Sequence, residues 1–261
     1  MKLKKKLFFL IIFFFSQLGI TQNILEFSQL TGENVSTQSI TYDIKQDSVG
    51  NLWIASEEGV LKYNSKYFKI YNSYNGLPES LSNRTNKVFV DSKNNIWAGL
   101  DNGFCVYNKD LDKFDLIEDK TDLNPSLIKE IGEDSEGNIW VGGFNGLWSY
   151  NATSKKIKRH ISKKSIQTFV IVGDEIYFGT QKGFFTYNRK TDIVKKNKLK
   201  PGLKNIFSIN KINNDLLVGT KFGKLFKLKI SNSEVVFDKV IKDFSHRISD
   251  VILDNSENII V

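Results

Sequence analysis

The sequence predicts an all-β chain built from repeated four-stranded units, and three observations carry that expectation. The stretch Asp47-Ser-Val-Gly-Asn-Leu-Trp53 recurs as Asp91-Ser-Lys-Asn-Asn-Ile-Trp97 and Asp134-Ser-Glu-Gly-Asn-Ile-Trp140, so the tryptophans fall 44 and then 43 residues apart. Each copy continues through a short apolar strand to a glycine (Gly59, Gly103, Gly146) and then to an aromatic-asparagine pair, Tyr63-Asn64, Tyr107-Asn108 or Tyr150-Asn151. No stretch places apolar residues at i, i+3, i+4 and i+7 for three turns, so a helical reading fails. A period of about 40–45 residues with four short strands per unit is the signature of a β-propeller.

Within one repeat the chemistry is local. Asp and Ser hydrogen-bond their own backbone, and the fourth turn position is Gly50, Asn94 or Gly137, residue types that tolerate a left-handed backbone. An alternating strand precedes each turn, as in Ile40-Thr-Tyr-Asp-Ile44, and an aromatic-basic strand follows each Tyr-Asn pair, as in Tyr67-Phe-Lys-Ile-Tyr71. Strand A is expected to line the axis, the Trp sits on strand B, Tyr-Asn ends C, and D lies outermost. Two later copies carry Tyr177 and Leu217 at the Trp position, at spacings of 37 and 40 residues. Their five-residue turn is replaced by Val-Gly-Asp-Glu and Asn-Asn-Asp, compatible with two-residue hairpins. A sixth copy begins at Asp254-Asn-Ser-Glu-Asn258.

The expected blades span about 38–71, 83–117, 127–161, 165–196 and 204–240, with the start of another at 245–261. Residues 24–30 resemble an outer D strand, which at an N-terminus completes the last blade of a closed ring. That places residues 22–261 as a partial propeller, five full blades and part of a sixth, in a full protein of six to eight blades.

Met1-Lys-Leu-Lys-Lys-Lys6 followed by the apolar run 7–15 has the pattern of a signal peptide over residues 1–21. The run falls short of the roughly 20 residues needed to span a bilayer, and Gly19 and Thr21 supply small residues before a cleavage point. An exported chain is therefore expected. Four lysines of the 261-residue chain lie in this segment, leaving 33 basic against 29 acidic side chains beyond it. The excess falls mainly between Lys155 and Lys204. We read it as lysine decoration of exposed outer strands, which guards edges against aggregation, with a patch for acidic polysaccharide as the sharper alternative. Cys105, the single cysteine, is expected to be a buried small apolar residue.

Candidate ligand contacts are sought in loops at one end of the rigid scaffold. The B–C and D–A connections share a face, and the B–C tips differ in every blade while the frame repeats. Asn102, Phe144, Asn145, Gln181, Lys182, Lys221 and Phe222 are the tip candidates. Asn83, Arg84, His246 and Arg247, which enter the inner strands, are the next. Asp47, Trp53, Gly59, Asp91, Trp97, Gly103, Asp134, Trp140 and Gly146 are read as structural repeat positions, the tryptophans as inter-blade core rather than sugar platforms. No catalytic residue, metal site or cofactor is expected. Each turn offers one acid where calcium wants six to eight oxygens. His160 reads as a solvated residue of a basic outer strand, and His246 as one approaching the axial mouth.

The Asp-Ser-x-Gly-Asn-Ile-Trp-Val-Gly pattern, the glycine five or six residues after the Trp, the Tyr-Asn pair and the connection Asn75-Gly-Leu-Pro-Glu-Ser-Leu-Ser82 resemble the two-component regulator propeller repeat. The likeness runs from Phe27 to Val261, clear in three copies and looser in the last three. It implies the periplasmic sensor region of a hybrid two-component regulator. Such a protein continues into a β-sandwich, a membrane-tethering helix and a histidine kinase or DNA-binding output, and many respond to oligosaccharides. The implied partners are a small glycan or other periplasmic ligand and a downstream output domain. A homodimer stays open, and no nucleic acid is expected in this segment. The alternatives are a free-standing secreted carbohydrate-binding or adhesion propeller, and a propeller lyase or glycosidase.

Overall fold

The structure, a computed structural model, describes residues 39–118, 124–199, 203–231, 234–254 and 258–261. The expected signal peptide and the expected outer strand at 24–30 lie outside them. Among the described residues every element is a strand. The first sheet holds β1 (Thr41–Gln46), β2 (Leu52–Ser56), β3 (Gly59–Tyr63) and β4 (Phe68–Tyr71). The second holds β5 (Thr85–Val90), β6 (Ile96–Leu100), β7 (Gly103–Asn108) and β8 (Lys113–Ile117). The third holds β9 (Ile128–Glu133), β10 (Ile139–Gly143), β11 (Gly146–Asn151) and β12 (Lys156–Ser162). The fourth holds β13 (Thr168–Val172), β14 (Glu175–Thr180), β15 (Gly183–Asn188) and β16 (Ile193–Lys196), and the fifth β17 (Ile206–Ile212), β18 (Asp215–Thr220), β19 (Lys224–Ser231) and β20 (Glu234–Asp243). A short pair, β21 (Ile252–Leu253) and β22 (Ile259–Ile260), follows.

Each four-stranded sheet is an antiparallel meander in sequence order. The first strands of consecutive sheets, β1, β5, β9, β13 and β17, neighbour one another in turn. They line a common axial cavity, as strand A of a propeller must. The fold is an all-β propeller of four-stranded blades.

The repeat exists because its turn clamps its own strand. Asp47 Oδ1 accepts the backbone N–H groups of Val49 and Asn51, and Oδ2 accepts the Asn51 side-chain amide and the Trp53 indole N–H at 2.9 Å. Asp91 and Asp134 repeat the arrangement, with indole contacts of 2.9 and 2.7 Å from Trp97 and Trp140. Gly50, Asn94 and Gly137 have φ of 93°, 61° and 79°, the left-handed turn position that the sequence requires. Four N–H donors occupy the Asp47 carboxylate, so the motif clamps its own turn. In the fourth and fifth blades the connection shrinks to Gly173-Asp174 and Asn213-Asn214, with φ of +59° and +53° at the first residue of each.

The core lies between blades. Five apolar clusters each join neighbouring repeats. Trp53, Trp97 and Trp140 are buried, and each packs against the Tyr of the next blade's Tyr-Asn pair. Centroids lie 4.8 Å apart for Trp53–Tyr107, 5.8 Å for Trp97–Tyr150 and 6.0 Å for Trp140–Tyr187. Truncating a buried indole of this kind costs about 3–5 kcal/mol. The asparagine of the pair closes the C–D turn: Asn108 Oδ1 accepts from Asp110 and Leu111, and Asn188 Oδ1 from Lys190 and Thr191. Cys105 is fully buried, which pushes its thiol pKa up.

Candidate functional site

The A–B and C–D turns share one face, and the B–C hairpins and D–A connections share the other. Hydrogen bonds knit the second face together. Asn102 accepts from Ser82 N and donates to Ser80 O, both at 2.8 Å, and Phe144 N donates to Ser126 O at 2.9 Å. A glycine follows each B–C hairpin tip, and in the first, third and fifth blades backbone presses on it. A Cβ on Gly146 would lie 1.8 Å from Ile161 O, and one on Gly59 2.1 Å from Tyr71 O.

On this face a cleft of about 750 Å³ lies between the third and fourth blades. The hairpin tips Phe144-Asn145 and Gln181-Lys182 flank it, and the connection through Lys163, Lys164 and Ser165 floors it. Phe144 is 64% exposed, an aromatic ring held out on a two-residue tip. Asn145 fixes that tip by accepting from Ser126 N at 3.2 Å and donating to Asn124 O at 2.8 Å. Arg159, on β12, donates to Asn145 O at 2.6 Å and stacks 5.0 Å from the Trp148 ring. Its buried Nε has no hydrogen-bond partner. Lys164 Nζ lies 5.1 Å over the Phe185 ring.

Lys129 and Gln167 line both this cleft and the axial cavity of about 550 Å³, so the two meet there. Arg84 and Arg247 stand on the axial side, 5.0 Å over Tyr42 and 5.3 Å over Phe207. Burial, reinforced by the positive charges of Arg84 and Arg247 and partly offset by Asp101, lowers the Lys129 pKa. One to three residues further along these strands the charge balances, with Lys87 Nζ 2.9 Å from Glu130 and 3.6 Å from Asp43.

The structure therefore brings Phe144, Asn145, Gln181 and Lys182 together in one cleft and places Arg84 and Arg247 beside it on the axis. Asn83 accepts from Ser73 N at 2.8 Å and, like Asn102, braces a D–A connection. Lys221 donates its backbone N–H to Asn205 O, Phe222 is 65% exposed, and exposed His246 pairs with Ser245 Oγ. None of these five lines the cleft or the axial cavity. Lys129, Lys163, Lys164 and Phe185 line the cleft without having been candidates, and Arg159 lines it from the basic stretch that the sequence reading took first as outer-strand decoration.

His160 corrects the sequence reading. A register shift between Leu147 and Trp148 leaves His160 as the extra residue of a β-bulge, which re-aims its side chain. Its side chain is 7% exposed, 4.5 Å from the Trp140 ring centroid, and bonded to Ser149 Oγ at 2.8 Å and Tyr187 OH at 2.7 Å. Burial, aided by Lys158 and only partly opposed by Asp192, lowers its pKa to about 4.

No protein-family model matches the chain, and no curated protein matches it. Solved structures do. The extracellular domain of the putative hybrid two component system BT4673 from B. thetaiotaomicron matches with TM-score 0.71 and 22% identity, over 89% of this chain and 32% of that one. The extracellular domain of the putative hybrid two component system BT3049 from the same organism matches with TM-score 0.61 and 18% identity, over 84% and 38%. Virginiamycin B lyase from Staphylococcus aureus matches with TM-score 0.67 and 15% identity, over 85% and 78%. This chain spans about a third of the two extracellular domains. At these identities the likeness establishes the propeller fold.

Proposed function

We propose that this chain is the periplasmic ligand-sensing propeller of a two-component regulator and that an oligosaccharide binds in the cleft between the third and fourth blades. The observation that carries this reading is the convergence of four non-repeating tip residues, Phe144, Asn145, Gln181 and Lys182, on one cleft of a size suited to small ligands. The rest of the frame repeats, whereas these positions differ, as recognition of an asymmetric ligand requires. An exposed ring with amides beside it suits a sugar, which offers a C–H face and hydroxyl edges. The fold likeness to extracellular domains of hybrid two component systems and the signal-peptide pattern support export and a signalling role. In this reading a later segment of the protein tethers it to the membrane and carries the output.

The site is a binding site in this reading, not a catalytic one. Among the described residues its lining supplies amides, hydroxyls, cations and aromatic rings, and no carboxylate or imidazole to move a proton. Apolar side chains also stand exposed on β1, with Ile44 at 51%, and on the β21–β22 pair, with Ile252 at 53%. Further blades closing the ring would cover them.

Calorimetric titration of the full chain with a panel of tetrasaccharides tests the ligand-binding half. Saturable binding of at least one member, lost in Phe144→Ala/Gln181→Ala, is expected. Binding by none would sink it. Reading the gene past the codon for Val261 tests the regulator half: a membrane-spanning helix and an output domain are expected, and a stop shortly after ring closure would instead favour a secreted binding propeller.

A further inference from the structure

Several cations elsewhere in this molecule are paired. Lys158 contacts Asp192 at 3.5 Å, Lys190 contacts Asp174 at 2.7 Å, Lys195 contacts Glu234 at 3.2 Å and Lys227 contacts Asp215 at 2.7 Å. The cleft instead gathers cations without acids beside them. Lys129, Arg159, Lys163, Lys164 and Lys182 all line it, and among the described residues no acidic side chain lines it and none of the five has an ion-pair partner. Crowding five unpaired like charges around one concavity is unfavourable in the free protein, and low-dielectric walls focus the resulting field into the cleft. An anion entering the cleft relieves that repulsion.

Two further features aim the charge inward. Arg159, paired with Trp148 beside the bulge at His160, reaches the tip of the third blade, where Nη2 is fixed on Asn145 O while buried Nε stays without a partner. An arginine held in this way leaves its outer edge, Nη1 and the second Nη2 hydrogen, for a carboxylate or sulfate. The lowered pKa of Lys129, set by burial and by Arg84 and Arg247, agrees with a cationic environment that continues to the axial mouth. Lysine decoration accounts for exposed Lys155 and Lys156, but not for half-buried Lys129 and Arg159.

We propose that the cleft between the third and fourth blades binds an acidic oligosaccharide, its carboxylate or sulfate groups held by Arg159, Lys129, Lys163, Lys164 and Lys182 while the exposed ring of Phe144 covers a sugar face. The inference rests on the cleft being the ligand seat proposed above, and it adds the charge class of the ligand.

The test titrates the full chain with tetragalacturonate (carboxylate groups only), a heparin-derived tetrasaccharide (sulfate as well as carboxylate) and maltotetraose (neutral). Lys163→Glu/Lys164→Glu/Lys182→Glu is compared with a control of equal charge change outside the cleft, Lys155→Glu/Lys156→Glu/Lys198→Glu. At least one acidic tetrasaccharide is expected to bind, more weakly as salt rises, and maltotetraose not to bind. The cleft variant should lose about tenfold or more in affinity, as three removed charge contacts of ordinary strength imply, and the control should stay close to wild type. Binding of tetragalacturonate identifies carboxylate as sufficient; binding of the heparin fragment alone identifies sulfate. Maltotetraose binding that the cleft variant leaves intact would overturn the acidic-ligand inference while leaving the sensor reading standing. Equal loss in both variants would overturn it as a non-specific charge effect. Binding by none of the three would overturn it together with the ligand seat. An oligoglutamate control that binds more tightly than either acidic sugar would overturn it in favour of an acidic peptide.

Discussion

The indole N–H of Trp97 donates to the Asp91 carboxylate across 2.9 Å, six residues apart in the chain. One side chain closes the A–B turn through the Lys93 and Asn95 amides and also satisfies the polar atom of the residue that fills the next inter-blade core. Turn and core are thus one device, which explains why Asp and Trp recur together.

Replacing Asp91 by Ala strands a buried indole N–H and leaves the turn amides without their acceptor. Each such loss costs about 1–3 kcal/mol, and for a chain of this size about 1 kcal/mol moves the melting midpoint by about 2–4 °C. Asp91→Ala is therefore expected to lower the midpoint by about 5–10 °C in a thermal melt followed by near-UV circular dichroism. Trp97→Phe, which keeps an aromatic ring but gives up the hydrogen bond, should lose less than Asp91→Ala. A midpoint unchanged in Asp91→Ala would show that the clamp is dispensable.

Glycines on the two faces of the propeller should respond differently to the same methyl group. Gly146 has φ +136° and its Cβ would lie 1.8 Å from Ile161 O, whereas Gly173 has φ +59° and nothing within 4 Å of its Cβ. Gly146→Ala is expected to cost several times the about 1–2 kcal/mol that a left-handed alanine costs at Gly173. Urea midpoints of the two variants check this, and equal midpoints would refute the close approach.

His160 sets an acid limit on stability. Its folded pKa of about 4 lies below the ordinary value of 6.5. Between those values the unfolded chain binds a proton that the folded chain does not. Stability is therefore complete above about pH 6.5 and is lost as pH falls toward about 4, by up to about 3 kcal/mol. Asp47 and Asp134 titrate in a separate window. Burial alone would raise their pKa values, but hydrogen bonds from Asn51 and Trp53, and from Trp140 and Asn138, hold both below the ordinary value. Their contribution is lost only at pH below the usual carboxylate range. His160→Phe should flatten the melting midpoint between pH 6.5 and 4.5 relative to wild type. An unchanged slope would place the acid sensitivity elsewhere.

The propeller was legible in the sequence because its signals are local: turn chemistry, a short apolar strand and a fixed period all lie within one repeat. What Asp47 holds besides backbone was not legible, because the indole partner is set by strand pairing rather than by adjacency. His160 was misread because alternation along β12 assumes an unbroken register, and the bulge breaks it at that residue. The ligand cleft was half legible. Variation between hairpin tips pointed to Phe144, Asn145, Gln181 and Lys182. It also pointed to Asn102, whose amide holds a connection in place, since a tip residue with a bracing role varies as freely as one that meets solvent. Lys129 escaped notice because it lies on an inner strand, and Arg159 was read with its basic neighbours as decoration of an outer strand. Pairing of β12 with β11 carries Arg159 to the tip of its own blade, and packing on the fourth blade completes the cleft.

Hydrogen–deuterium exchange of the full chain, with and without saturating tetragalacturonate, tests the central claim most directly. The account predicts slowed exchange confined to the hairpin at 143–146, the strand and connection at 159–165 and the hairpin at 180–183, with the corresponding hairpins of the first and second blades unchanged. Slowed exchange centred instead on the inner strand starts around Arg84 and Arg247, with the 143–146 and 180–183 hairpins unaffected, would contradict it and move the ligand to the axis.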